Sequence, residues 1–128
     1  MSHANGTFTV KVAPLPPGTA EGIAHYSLDK QLQGDIEGTS KGQMMGVGDP
    51  KSGRAGYVAI EVITGTLAGK RGSFALQHSS WMHSGTQAMN INVVPGSGTG
   101  ELADIAGTFV IRIEQGQHFY DFDYSLPG

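Results

Sequence analysis

The sequence predicts an all-β protein: a closed, mainly antiparallel barrel of about eight strands. Three observations predict it. Apolar and polar residues alternate with period 2 almost throughout, with β-branched and aromatic residues enriched. Glycine makes up 20 of the 128 residues and is scattered between apolar runs, which disfavours long helices and suits strands joined by tight turns. The links are mostly of hairpin length, and such a meander leaves two exposed edges unless it closes. A chain of this length forms one domain, residues 1–128, with a core of its own.

The strands follow in order. The first is expected over about Thr7 to Ala13, stopped by Pro14-Leu15-Pro16-Pro17-Gly18, which fits neither strand interior nor helix. The second spans about Ile23 to Gln33, and Gly34-Asp35 turns the chain into the third, Ile36 to Val47. After the loop Asp49-Pro50-Lys51-Ser52-Gly53 comes the fourth, Tyr57 to Thr64. Ala68-Gly69-Lys70-Arg71-Gly72 supplies hairpin residues before the fifth, Ser73 to Met82. Ser84-Gly85 leads to the sixth, Gln87 to Val94. Pro95 to Gly107 is the one long connection, with a short helical turn expected near residues 99–106, capped by Thr99 and stopped by Gly107. The seventh strand is Thr108 to Glu114, Gln115-Gly116 turns, and the eighth is His118 to Leu126.

Loops of even length hold pairing parity fixed, so faces propagate from hairpin to hairpin. One face then carries Tyr57, Ala59, Glu61, Ile63, Phe74, Leu76, His78, Ser80, Met82, Gln87, Met89, Ile91 and Val93. It is the larger and more apolar face and is assigned to the lumen. Phe109, Ile111, Ile113, His118, Tyr120, Phe122 and Tyr124 join it from the last hairpin. Tyr26, Leu28 and Leu32 bring Lys30 inward with them, and an even Gly34-Asp35 turn would set Glu37 beside Lys30. Outside, Val58, Ile60, Val62 and Trp81 make a contiguous apolar patch, the usual mark of an interface, so a homo-oligomer is expected, a dimer first.

Glu61 and His78 are the candidate catalytic residues. Burial raises a carboxylate's pKa and a nearby imidazole lowers it, so the pair has the means to move a proton near neutral pH. The competing reading is a structural ion pair filling the lumen. The same choice applies to Lys30 and Glu37, since buried Lys and Glu are normally paired. The histidines show no His-x-His on one strand and no His-Glu-x-x-His, so no metal centre is expected. Gly96-Ser97-Gly98-Thr99-Gly100 lacks the Lys-Ser/Thr ending of a phosphate loop and sits between antiparallel strands. Ser80 has no nucleophile-elbow pattern around it. The absence of cysteine excludes disulfides and thiolate chemistry. A net charge of −3 with only 8 Lys and Arg shows no footprint for nucleic acid. No apolar run approaches the roughly 20 residues of a membrane helix. The N-terminal residues lack a signal pattern, so a cytoplasmic location is the default expectation.

Three blocks carry a resemblance: Gly56-Tyr57-Val58-Ala59-Ile60-Glu61, the run from Gly65 to His78, and the run from Val93 to Leu102. With Gly34-Asp35-Ile36-Glu37-Gly38-Thr39-Ser40 they resemble, over nearly the whole chain, a bacterial family of small proteins built on a domain of unknown function. That family's fold is similar to the barrel of plant allene oxide cyclase, which cyclises an oxidised fatty acid and assembles as an oligomer. The resemblance implies the barrel and the homo-oligomer; no cyclase motif matches residue by residue. A lipocalin would need Gly-x-Trp on the first strand, and the only Trp is on the fifth.

The leading expectation is therefore a barrel that binds one small apolar or amphipathic molecule, without a cofactor. Tyr57, Phe74, Leu76, Ser80, Met89, Ile91, Tyr120 and Phe122 would line it, and Glu61 and His78 would orient a polar end. The alternatives are a cofactor-independent isomerase or cyclase acting on a lipid-like substrate by confinement, and an interaction protein whose barrel is solid side chain.

Overall fold

A computed structural model describes residues 1–127. Eight strands close into one antiparallel barrel in chain order, with β1 also pairing β8. They are β1 (Ser2–Pro14), β2 (Ala24–Gly34), β3 (Ile36–Asp49), β4 (Arg54–Leu67), β5 (Lys70–His83), β6 (Thr86–Val93), β7 (Ala106–Glu114) and β8 (Gln117–Ser125). Two 3-10 turns, Pro50–Ser52 and Gly100–Leu102, complete the elements among the described residues. None of these is a helix long and apolar enough to cross a membrane.

Alternation fixes the inside. The even residues of β1, β2, β3, β5 and β8 and the odd residues of β4, β6 and β7 point inward, as the register of each pair requires. One half of the lumen is solid. Phe74 stacks on Phe122 with centroids 5.5 Å apart, and Phe109 stacks on Tyr120 at 5.4 Å. Leu102 and Ile105, from the long connection, plug that end. The buried Tyr120 hydroxyl accepts from the Ile36 amide at 2.9 Å and donates to the Gln33 carbonyl, so its polar tip is satisfied inside the core.

The structure corrects five sequence expectations. The turn after β2 reverses about Asp35, so Lys30 pairs with Ser40 and Leu32 with Gly38. That odd-membered turn inverts the parity assumed for β3. Glu37 therefore points to solvent, where its carboxylate accepts from the Gly34 amide. Second, β1 begins at Ser2, not Thr7, and its early half is what closes the barrel against β8. Gly6 is an inward corner where any side chain would overlap the Gln33 carbonyl. Third, β4 and β5 run on to a two-residue turn, Ala68-Gly69, so Lys70 and Arg71 belong to a strand. Fourth, the helical turn shrinks to Gly100–Leu102, and Gly107 lies inside β7. Thr99 is the turn's N-cap, as expected, but its side chain makes no capping bond; the hydroxyl accepts from the Ser73 amide at 3.0 Å instead. Fifth, Met89 and Ile113 have the predicted facing but stay exposed, at 39% and 65%, because β6 and β7 part company there.

Candidate functional site

Above the solid half lies a polar layer built from four adjacent strands. Lys30 on β2, Ser40 on β3, Glu61 on β4 and His78 on β5 are all buried. Glu61 is the hub. Its Oε2 accepts from Lys30 Nζ at 2.8 Å and from His78 Nε2 at 2.5 Å. Its Oε1 accepts from the Ser40 hydroxyl at 2.7 Å. Lys30 Nζ also sits 4.9 Å from the centre of the Phe8 ring, a cation–π contact in a desolvated place.

The electrostatics follow from these contacts. Burial alone would push the Glu61 carboxyl up. The hydrogen bond from His78, the charge and hydrogen bond of Lys30 and the charge of His78 outweigh it and bring the pKa down to about 2. Glu61 is thus a carboxylate throughout the neutral range and no proton donor there. Being an acceptor only, it fixes a proton on His78 Nε2, which leaves Nδ1 as the basic atom of the neutral ring.

Toward the open end the polar layer gives way to Ser80 and Tyr57. Tyr26, Met44, Tyr57, Ser80 and Met82 line a largely apolar cavity of about 320 Å³ at that mouth. Exposure falls along the way in: Tyr57 is half-buried, Ser80 and Lys30 are 6% exposed, His78 3% and Glu61 1%. Burial pushes the Tyr57 phenol up, the Ser80 hydroxyl offsets part of this, and the charge of Glu61 adds to the rise.

The structure brings together Tyr57, Glu61, His78 and Ser80 among the residues singled out by sequence. Phe74, Leu76, Tyr120 and Phe122 belong to the solid half, each at most 1% exposed. Ile91 is buried beside His78, its cross-strand partner. Met89, partner of Ser80, lies at the edge of the barrel wall. Sequence reasoning placed Lys30 inward but opposite Glu37, and it missed Ser40. It is the odd turn at Asp35 that sets Lys30 across from Ser40. The described residues hold no cluster of three metal-binding side chains.

These features define a small closed antiparallel barrel with one filled half and one open half, divided by a buried Lys–Glu–His layer. The family model of DUF3224, proteins of unknown function, matches residues 4–124, and the chain belongs to that family. A solved structure of a DUF3224 protein of unknown function from Shewanella oneidensis MR-1 is 40% identical. The match covers 100% of this chain and 98% of that one, with a TM-score of 0.92. No curated protein matches the chain. The closed eight-stranded barrel is consistent with the allene oxide cyclase-like architecture.

Proposed function

We propose that the open half of the barrel binds one small amphipathic molecule, its polar end against the Lys30–Glu61–His78 layer and its apolar part in the mouth. The observation that carries this reading is an apolar cavity at the mouth that reaches Ser80, two residues along β5 from the buried His78. Glu61 has both oxygens occupied, so it holds the layer together and does not face the ligand. The hydroxyl groups that do line the mouth can donate: Ser80 and the phenols of Tyr26 and Tyr57. A carbonyl, carboxylate, ether or hydroxyl oxygen fits them.

Native mass spectrometry of protein purified from its own host tests the reading, repeated under denaturing conditions. A mass excess that disappears on denaturation is expected. Removing the phenol in Tyr57→Phe should weaken rebinding of that molecule by about tenfold, the worth of one hydrogen bond. A clean apo mass, or equal affinity in the variant, counts against it.

An isomerase is the second reading, favoured by the His78–Glu61 geometry. His78 would shuttle a proton through Nδ1 while Glu61 positions the ring and balances its charge. We also propose that two copies pair through the outer face of β3–β5 in a cytoplasmic protein. A groove of about 760 Å³ runs there between Met45, Val58, Ile60 and Val62.

A further inference from the structure

The barrel wall is incomplete at one place. Every other pair of neighbouring strands is joined over at least seven residue pairs, and up to fourteen. β6 and β7 share one, Asn92 with Thr108. Carried on toward the mouth, that register would set Met89 against Ile111 and Gln87 against Ile113. Neither pair forms. A cleft of about 390 Å³ opens instead, lined by Gln87, Met89, Phe109, Val110, Ile111 and Ile113. At the closed end the edge of β5 beyond β6 is sealed by the long connection. The Thr99 amide bonds Ser73 O at 2.8 Å, Ser97 Oγ takes the Ala75 amide and Glu101 takes that of Arg71. Among the described residues the mouth half of the β6–β7 gap receives no such hydrogen-bonded cover.

We propose that this gap is a lateral binding cleft for an unbranched apolar chain, part of the molecule whose polar end lies in the lumen. The inference rests on the amphiphile reading above. Three features carry it. Two of the apolar side chains that line the cleft point inward and yet remain exposed, Met89 at 39% and Ile113 at 65%. It lies one strand from the polar layer, because Met89 is the cross-strand partner of Ser80 and Ile91 that of His78. Its shape excludes a ninth strand. β6 and β7 meet at Asn92–Thr108 and diverge from there, whereas a strand bonded to both sides needs about 9.6 Å between them along its whole length. A flexible chain fills a wedge. Its acceptor head would meet Lys30 and Ser80 while the chain passes Met89 and leaves between the strands.

The chain has no cysteine, so single-cysteine variants report on a clean background. Ile111→Cys marks the cleft and Met44→Cys the mouth. Each is alkylated with N-ethylmaleimide with and without saturating dodecanoate, and dodecanoate binding to the wild type is measured by calorimetry. Ile113→Cys replaces Ile111→Cys should the latter not fold, its site being largely solvent-exposed. The expected result is binding, with alkylation in the cleft slowed at least tenfold. Binding with protection of Met44→Cys alone overturns the cleft and leaves the amphiphile reading standing. No binding overturns both.

Discussion

Glu61 shows how one buried carboxylate is made to stay charged. Two cationic or proton-bearing side chains and one hydroxyl meet its two oxygens, and no buried side-chain nitrogen or oxygen among the described residues lacks a partner. Its pKa lies at about 2 in the folded protein against an ordinary value of 4.5. A depressed carboxylate contributes stability above the unfolded value that is lost as pH falls through the folded one. Its share, about 3 kcal/mol, is therefore present above pH 4.5 and disappears toward pH 2. Glu61→Gln should remove that part of the acid limb in urea melts taken from pH 7 to pH 2. The same variant should be less stable at pH 7 by about 3–5 kcal/mol, because Lys30 is left a buried cation without its anion. Lys30→Met together with Glu61→Gln should recover much of that loss. An unchanged acid limb in the double variant would show that other carboxylates, and not Glu61, govern acid unfolding.

At the scale of elements, β3 carries the curvature that closes the barrel. Gly38, Gly42 and Gly46 all point inward at every fourth residue, where small residues let a strand coil against its neighbours. At Gly42 an added Cβ would overlap the Ile60 carbonyl and lie 2.7 Å from Glu61 Cα, both in the neighbouring strand. Gly42→Ala should therefore cost at least about 2 kcal/mol and disturb Glu61. Gly56→Ala is the control: its Cβ would find the Ser80 carbonyl at 3.6 Å, an ordinary contact, and thermal melts should show little change. Parity also explains what the sequence made legible. The turns Ala68-Gly69, Ser84-Gly85 and Gln115-Gly116 are even, so the facing of β4–β8 and the meeting of Glu61 with His78 follow from alternation alone. The Asp35 turn is odd, and nothing in Gly34-Asp35 announces that. One residue of difference hid the Lys30–Ser40–Glu61 contacts. It also left Met45 and Val47, which point outward, out of the expected patch. The open β6–β7 gap was illegible for another reason. Met89 and Ile113 alternate like core residues, and only the divergence of two whole strands leaves them in water.

For the whole molecule, the outer face of β3–β5 is its most conspicuous unpaid surface in physical terms: apolar where alternation would put polar residues. Val58, Ile60 and Val62 are each about half exposed, at 48%, 55% and 46%, and Met45, Val47 and Trp81 extend the patch on both sides. Six large apolar side chains in one area make several hundred Å², near the upper end of what monomers leave in water. A second copy meeting it across a two-fold axis would bury the patch on both partners at once. Trp81 is the single tryptophan and is 50% exposed, which makes it an internal reporter. On this account sedimentation should give a dimer, and dilution to monomer should shift Trp81 emission to the red. Ile60→Lys places a charge at the centre of the patch without touching the core, because its side chain points outward between Gln43 and Gln77. The variant should keep its thermal melt cooperative and sediment as a monomer at concentrations where the wild type is dimeric. A wild type that stays monomeric at about 100 μM, with Trp81 emission independent of concentration, would rule out this face as a stable dimer interface, since a standard patch burying some 800 Å² per partner holds well below that concentration.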